Sequence, residues 1–249
     1  MPTAIWLTFR SRAEQLSTAT VQRFYSEERL HAFQTVAVGG PSVRLFGGRI
    51  AKVDSAAGLS LLDRLSQKTS LGTLVSKLSA DKVYYQEACR YWLKSSTYSP
   101  RFVRNGLAVE QPHGRILWVR DRQAAGLINC VLNSSLFYWY YSTLSDCEHV
   151  NDSLVRGFPL PLNWEETKWE EISNKIDARL SSSSTPKRIK TEQGHVIEYD
   201  EINGKAARQE IDAADLALGR AFAMSESEID YFMNYDIKYR IGQESNPDD

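Results

Sequence analysis

Residues 122–142 read RQAAGLINCVLNSSLFYWYYS, and this stretch predicts a helix that is buried on most of its sides. Two neighbouring faces repeat at helical spacing, the first with Leu127, Val131, Ser135 and Tyr138 and the second with Ile128, Leu132, Leu136 and Trp139. A helix that is apolar on several faces belongs in a protein core. For the aromatic run at 137–141, core packing is therefore favoured over the alternative, a platform on which nucleic-acid bases stack.

Around this helix the pattern predicts an α+β fold, in which a mixed, partly antiparallel sheet within residues 4–120 packs on the helix and the C-terminal part is helical. Strands are expected at 4–9, 82–93 and 115–119, and an extended segment at 158–162. Further helices are expected at 58–68, at 164–181 with Asn163 as N-cap, at 206–223, and at 226–235 behind a capping box of Ser225 and Glu228. The sequence also predicts a flexible linker at 181–186, a solvated basic run (PKRIK) at 186–190 and a disordered tail at 243–249.

The nearly balanced charge of the chain hides a difference between its halves. The 249 residues carry 30 Lys and Arg against 31 Asp and Glu, yet residues 1–123 balance at +9 and residues 124–249 at −10. A basic half attracts nucleic-acid phosphates. The alternative is that it packs against the acidic half or stays solvated.

The cellular compartment is inferred from apolar runs and cysteines. No apolar run approaches the roughly 20 residues that span a membrane, and the N-terminus does not read as a secretory signal. Three cysteines are too few for a disulfide framework. We therefore expect a reduced, cytoplasmic protein that does not contact a membrane.

The sequence carries no visible catalytic constellation. Its four histidines are scattered, and it contains no P-loop, no G-x-G-x-x-G and no G-x-S-x-G. The nearest nuclease-like group, Asp200, Glu201 and Lys205, lacks the required spacing and is expected in a surface loop. We therefore predict no catalytic residue, metal site or cofactor site in this chain.

Two segments carry a family resemblance. The first, residues 211–242, matches a characteristic ending with Glu228, Ile229, Asn234, Tyr235, Asp236, Ile237, Lys238, Tyr239, Arg240 and Gly242. The second, residues 132–162, contains LNSSLFYWYY and then FPLPL. Together they resemble the C-terminal, target-recognising half of type IIG restriction-modification enzymes and adenine-N6 DNA methyltransferases, the TaqI-like specificity region.

The sequence departs from this family in lacking the catalytic motifs. Family enzymes carry a glycine-bearing S-adenosylmethionine motif and an Asn-Pro-Pro-Tyr motif, and neither occurs here. The resemblance thus implies a recognition half that comes from a truncated gene, a split subunit or an isolated fragment. It divides the chain into a target-recognition domain at 1–162, a connecting helix and linker at 163–185, a C-terminal helical segment at 186–242 and the tail at 243–249.

The resemblance implies binding to double-stranded DNA at specific sequences. A methyltransferase or endonuclease domain or subunit would supply catalysis and bind S-adenosylmethionine. The basic half is expected to face the duplex through Tyr84, Tyr85, Arg90, Tyr91, Lys94, Arg101, Arg104 and Arg115. The alternative is a protein-interaction or remnant module that no longer binds DNA, which the near-zero overall charge and the missing catalytic half favour.

Overall fold

A computed structural model describes residues 18–21, 30, 31, 34, 45–53, 55–66, 69–89, 91–237 and 240. Its helices are α1 (Ala56–Ser66), α2 (Arg122–Asn133), α3 (Ser135–Leu144), α4 (Asp152–Gly157), α5 (Trp169–Ser182), α6 (Arg208–Ala221) and α7 (Glu226–Asn234). Its strands are β1 (Leu45–Phe46), β2 (Arg49–Ile50), β3 (Lys82–Gln86), β4 (Ser95–Ser96), β5 (Phe102–Arg104), β6 (Leu107–Ala108), β7 (Gly114–Trp118), β8 (Thr185–Lys190) and β9 (Val196–Glu201). The α+β class expected from the sequence is confirmed.

The segment at 122–142 forms two helices, so the prediction of a single helix is wrong. Ser134 adopts an extended backbone between α2 and α3, and its hydroxyl accepts the N–H of Phe137 at 3.0 Å. Asp121 caps the start of α2 in the same way, accepting the N–H of Ala124 at 2.8 Å. The break therefore leaves each helix with its own N-cap. All five aromatic side chains of 137–141 are buried, which confirms core packing for that run.

Helix α3 begins inside the protein, and its first N–H groups need an acceptor there. The carboxylate of Asp215, on α6, accepts the N–H of Ser135 at 2.9 Å and the N–H of Leu136 at 3.4 Å. Burial raises the pKa of Asp215 to about 6, while its hydrogen bonds and the nearby charge of Arg240 favour the ionised form. One carboxylate thus joins the start of α3 to the middle of α6.

Helices α2 and α5 pack with their backbones close together. A Cβ at Gly126 would lie 2.6 Å from the backbone N of Glu170, so the helices could not approach this closely with a larger residue. Trp169 opens α5 fully buried, and its indole N–H donates to the carbonyl of Trp164 at 2.7 Å. This contact places α5 across the centre of the core.

A buried polar cluster crosses the same helix pair. The amide Nδ2 of Asn129 donates to Ser173 Oγ at 2.9 Å and to Asp177 Oδ1 at 3.0 Å. The other carboxylate oxygen of Asp177 accepts the N–H and the hydroxyl of Thr97, at 3.0 and 2.6 Å. Asn129 Oδ1 in turn accepts the hydroxyl of Ser95 at 2.7 Å. These bonds join α2, α5 and β4 through polar groups that would be costly to bury without partners.

Two antiparallel sheets flank the helices, together with the short β1–β2 pair. The first has the order β4-β3-β7 and turns Val83, Tyr85 and Leu117 into the core. The second has the order β6-β5-β9-β8 and joins strands from before and after the helical core. Its central pairing aligns Phe102 with Tyr199.

Most helices expected from the sequence form close to their predicted bounds. Helix α1 lies within two residues of 58–68, and α6 and α7 match 206–223 and 226–235. The Ser225–Glu228 capping box is present. Residues 158–162 are extended, with Pro159 bridged to Ser70. Within the described residues, no helix is long and apolar enough to cross a membrane.

Several local predictions are wrong. Asn163 adopts a left-handed backbone without capping, since a 3₁₀ turn at Trp164–Glu166 precedes α5. The strand expected over 82–93 ends at Gln86. The run at 186–190 lies in strand β8, so 186–242 is not wholly helical. The predicted strand at 4–9 and the tail at 243–249 lie outside the described residues.

Replacing Asn129 with alanine should destabilise the fold. Alanine offers no N–H to Asp177 Oδ1 or Ser173 Oγ, so a buried carboxylate oxygen loses a partner. We expect the free energy of unfolding in urea to fall by about 2–3 kcal/mol. The control is Asn174→Ala on the exposed side of α5, which should stay within about 0.5 kcal/mol of the original. Equal losses in the two variants would contradict the role of the cluster.

Asp215 should give the protein an unusual pH dependence. Its pKa is about 6 in the folded chain against 3.8 for an ordinary Asp. Between these two pH values the carboxyl is therefore protonated in the folded state and ionised in the unfolded state. The free energy of unfolding contributed by Asp215 therefore decreases as pH rises from about 4 to 6 and is level above that range. Asp215→Asn has no proton to lose, and its urea unfolding should lack this decrease. A difference between the two proteins that stays constant across the range would refute the assignment.

Candidate nucleic-acid interface

The sheet β6-β5-β9-β8 presents a strand that is exposed along its whole length. Every residue of β8 is exposed, and β8 pairs with β9 over six positions, from Thr185 opposite Glu201 to Lys190 opposite Val196. Side chains of successive strand residues point to opposite faces. The strand therefore displays its three basic residues on both faces of what we name the projecting sheet, with Lys187 on one and Arg188 and Lys190 on the other.

The two faces of the projecting sheet differ in composition. The register places Arg188, Glu198 and Val103 in one row, and Arg101 lies on this same face by strand alternation. We name it the charged face. The opposite face, which we name the mixed face, combines two cations with apolar side chains: Arg104, Lys187, Phe102, Leu107, Ile189, Ile197 and Tyr199.

The turn between β5 and β6 is hydrogen-bonded to the start of β9, next to the turn between β8 and β9. Asn105 and Gly106 both have left-handed backbones, with φ of 52° and 80°, which is the geometry of a tight two-residue hairpin turn. The side-chain carbonyl of Asn105 accepts the N–H of Val196 at 2.9 Å, and its backbone N–H donates to the carbonyl of Val196 at 2.8 Å. Its amide also lies 2.9 Å from His195 Nδ1. The turn between β5 and β6 thereby fixes the start of β9.

Acidic residues on β9 form ion pairs with several cations of the projecting sheet. Glu198 lies 2.6 Å from Arg101 and 3.6 Å from Arg188, and Glu201 lies 3.4 Å from Lys187. Arg104 and Lys190 make no side-chain hydrogen bond or ion pair within the described residues. These two exposed cations are the ones on the sheet that are available for an anionic ligand without breaking an internal pair.

The predicted DNA-contacting tyrosines of β3 lie in the interior. Tyr84 and Tyr85 are 5 and 1% exposed, and burial raises the pKa of each to about 12. The hydroxyl of Tyr84 donates to Gln111 Oε1 at 2.6 Å. Because β3 is the middle strand of its sheet, neither side chain reaches a duplex on the protein surface, and these two assignments need correction.

Arg115 lies apart from the projecting sheet. It belongs to β7, opposite Tyr85, and pairs with Glu87 at 2.6 Å. His113 Nδ1 lies 3.0 Å from the other oxygen of Glu87, and this hydrogen bond, with help from Arg115, lowers the pKa of the carboxyl. The guanidinium of Arg115 is exposed, but it already forms an ion pair with Glu87, the residue directly after β3.

The remaining predicted residues fall in two places. Arg101 directly precedes β5 and Arg104 is its last residue, and the two lie on opposite faces of the projecting sheet. Arg90 lies outside the described residues. Tyr91 and Lys94 lie in the loop between β3 and β4, where they line a cavity at the base of the projecting sheet. Burial lowers the pKa of Lys94. The structure thus places Tyr91 near Lys94, and Arg101 near Arg104. It does not gather all of the predicted residues on one surface.

The basic residues of β8 were missed as site residues because the run was interpreted as a solvated linker. A signal was present in the partner segment, where Ile197 and Tyr199 alternate with Glu198 and Asp200. Such alternation with a glycine nearby, here Gly194, indicates a hairpin. Asp200 and Glu201 accordingly end β9 and do not form the surface loop that was expected.

Similarity to known proteins adds no further constraint. Comparison of the chain with protein-family models, curated proteins and solved structures finds no match. Among the described residues, no group of three or more His, Cys, Asp or Glu side chains is placed to hold a metal ion.

Gly106→Ala should loosen the hairpin tip. A left-handed backbone costs an alanine about 1 kcal/mol, so the amide of Val109, which bonds to Phe102 O at 3.1 Å, should exchange its hydrogen about fivefold faster. The matched control is Gly157→Ala, where φ is not left-handed and a Cβ meets nothing within 4 Å. If Gly106→Ala leaves this exchange unchanged, the turn does not constrain the sheet.

Proposed function

We propose that this chain is the sequence-specific DNA-recognition half of an adenine-N6 DNA methyltransferase or type IIG restriction-modification enzyme. The catalytic residues and S-adenosylmethionine would belong to a methyltransferase or endonuclease domain or subunit with which it works. The observation that carries the proposal is the projecting sheet, because it presents the exposed basic strand β8 and two cations, Arg104 and Lys190, that have no side-chain partner among the described residues.

The shape of the hairpin suits a DNA groove. The major groove of B-DNA is about 12 Å wide and admits a two-stranded antiparallel ribbon. Strand β9 is also paired with β5, so the part of the projecting sheet that can enter the groove is its edge at β8, which is about 20 Å long over six residues. Side chains on one face of this edge would point at the base edges.

The two kinds of cation suit different contacts. Arg104, at the end of β5 beside the hairpin turn, can donate two parallel hydrogen bonds to a guanine edge. Lys190, at the end of β8, is suited to a phosphate, where a compact charge is enough. Phosphate contacts of this kind would set the register in which the base-reading residues meet the duplex.

The ion pairs on the charged face would hold side chains in position before DNA arrives. Glu198 fixes the guanidinium of Arg101 at 2.6 Å and lies near that of Arg188. Arginines that are already oriented lose less conformational entropy on binding. The same carboxylates repel phosphates that approach in the wrong register, which favours one orientation on the duplex.

A second function, as a protein-interaction module, is favoured by the apolar part of the mixed face. Leu107 is 71% exposed and Ile189 is 48% exposed. They lie in one row at opposite edges of this face, with Arg104 and Ile197 between them, and exposed apolar side chains on one face often mark a protein partner. In the DNA-recognition proposal these residues would contact thymine methyl groups or the partner domain.

A salt titration with a mixed-sequence DNA duplex tests the proposal. The variant is the double substitution Arg104→Gln and Lys190→Gln, and the matched control is Lys175→Gln with Arg220→Gln, which removes the same charge from exposed positions of α5 and α6. Fluorescence anisotropy of a labelled duplex should show affinity falling steeply with salt. Because Lys190 is the cation assigned to a phosphate, the slope of log K against log salt should fall in magnitude by about 1 in the variant and stay unchanged in the control.

Three outcomes would contradict DNA recognition by this sheet. The first is an affinity for duplex that does not respond to salt, or no affinity at all in the presence of the catalytic partner. The second is an equal loss of slope in both double variants, which would mean that net charge and not the projecting sheet carries the binding. The third is a slope that the variant retains, which would mean that the duplex binds elsewhere on the protein and would leave protein interaction as the function of the mixed face.

A further inference from the structure

An open cavity of about 420 Å³ lies at the base of the projecting sheet. Three distant parts of the chain enclose it: the loop after β3, the turn after β9 and Arg240. Its wall includes two aromatic residues and three cations, which are Tyr91, Trp92, Lys94, Lys205 and Arg240. The volume lies in the range of pockets that hold small organic ligands.

Arg240 is a buried cation with unused hydrogen-bond donors. The residue is 3% exposed, its guanidinium stacks over the ring of Tyr138 at 4.5 Å, and its Nε donates to the carbonyl of Tyr91 at 3.2 Å. Within the described part of the chain, neither Nη1 nor Nη2 has a hydrogen-bond partner. Both nitrogens are buried and the charge of Asp215 lies nearby, so Arg240 adds positive charge behind the cavity wall without contacting a ligand in the cavity.

The aromatic side of the cavity is held by close packing. A Cβ at Gly204 would lie 2.6 Å from the ring of Trp92, so the glycine backbone lies directly against the indole. The indole Nε1 is buried and has no hydrogen-bond partner among the residues that the structure describes. Tyr91, beside it, is 41% exposed. A flat ligand therefore meets a fixed indole and an accessible phenol ring.

The charge of the cavity wall is positive. Among the described residues that line it, Lys94, Lys205 and Arg240 are opposed by the single carboxylate of Glu201. A cation that is partly shielded from water attracts an anion more strongly than an exposed one does. A phosphate group, which also accepts several hydrogen bonds, is the anion that best suits the two lysine ammonium groups.

We propose that this cavity binds a nucleoside phosphate, with the base stacked on Tyr91 and Trp92 and the phosphate held by Lys94 and Lys205. Arg240 adds buried positive charge behind the phosphate. The combination of a planar aromatic base and a phosphate anion is what aromatic residues interleaved with cations recognise. The nucleotide comes either free from solution or as part of a single strand. The four residues proposed to bind the nucleotide lie outside strand β8, so this proposal does not depend on the DNA-recognition proposal.

The test is calorimetric titration with deoxyadenosine monophosphate, deoxyadenosine and inorganic phosphate. The monophosphate should bind at least about tenfold more tightly than either of its parts. Lys205→Gln and Tyr91→Leu change exposed residues at the rim, and each should weaken the monophosphate by about tenfold. Lys175→Gln on α5 is the charge-matched control and should leave the affinity unchanged. Thermal unfolding of each variant checks that the fold is retained.

Three results would overturn the proposal: no heat of binding at millimolar monophosphate, equal affinity for deoxyadenosine, or equal weakening by Lys175→Gln and Lys205→Gln. A short deoxyadenosine oligonucleotide distinguishes the source of the nucleotide. An oligonucleotide affinity well above that of the monophosphate, and still sensitive to Lys205→Gln, supports a nucleotide within a strand. A monophosphate that binds as tightly supports a free nucleotide. Because Lys205→Gln leaves β8 intact, its duplex affinity separates failure here from failure of DNA recognition.

Discussion

The hydrogen bonds from the start of α3 to Asp215 are the constraint on which the helical core depends. Helix α3 starts among apolar side chains, where its first N–H groups cannot reach water, and an unpaired N–H there costs roughly 1–3 kcal/mol. The carboxylate of Asp215 satisfies the N–H of Ser135 and approaches that of Leu136. It also fixes α3 against α6, so the five aromatic residues of α3 enter the core in one orientation. Arg240 offsets the buried negative charge.

Features that depend on neighbouring residues were predictable from the sequence. The capping box at Ser225 needs only Glu228, and helix α7 begins where it was expected. The break at Ser134 was not predictable in this way, because apolar residues continue on both sides of it and the acceptor for Ser135 is 80 residues away. Strand β8 was missed for a similar reason, since its polar residues form a strand only when β9 pairs with them.

The candidate site shows the same division between local and distant information. The charge count located an excess of cations in residues 1–123, but it does not say which cations are already paired. Arg101 and Arg115 bind glutamates on other segments, whereas Arg104 has no such partner in the described chain. The aromatic residues of β3 looked available because the sequence does not show that β3 is a central strand. The cavity beside Arg240 is assembled from three distant segments, which no local pattern reveals.

The projecting sheet has a consequence for the order in which the protein folds during synthesis. Its β5–β6 hairpin is made before helices α2 to α5, and its partner strand β9 is made after them. Until the ribosome has delivered β9, one edge of β5 has no strand to pair with, and an open edge invites association with other chains. Contacts between such distant segments also slow folding. The surface that we assign to the nucleic acid is therefore completed late in translation, shortly before α6 supplies Asp215 to the helical core.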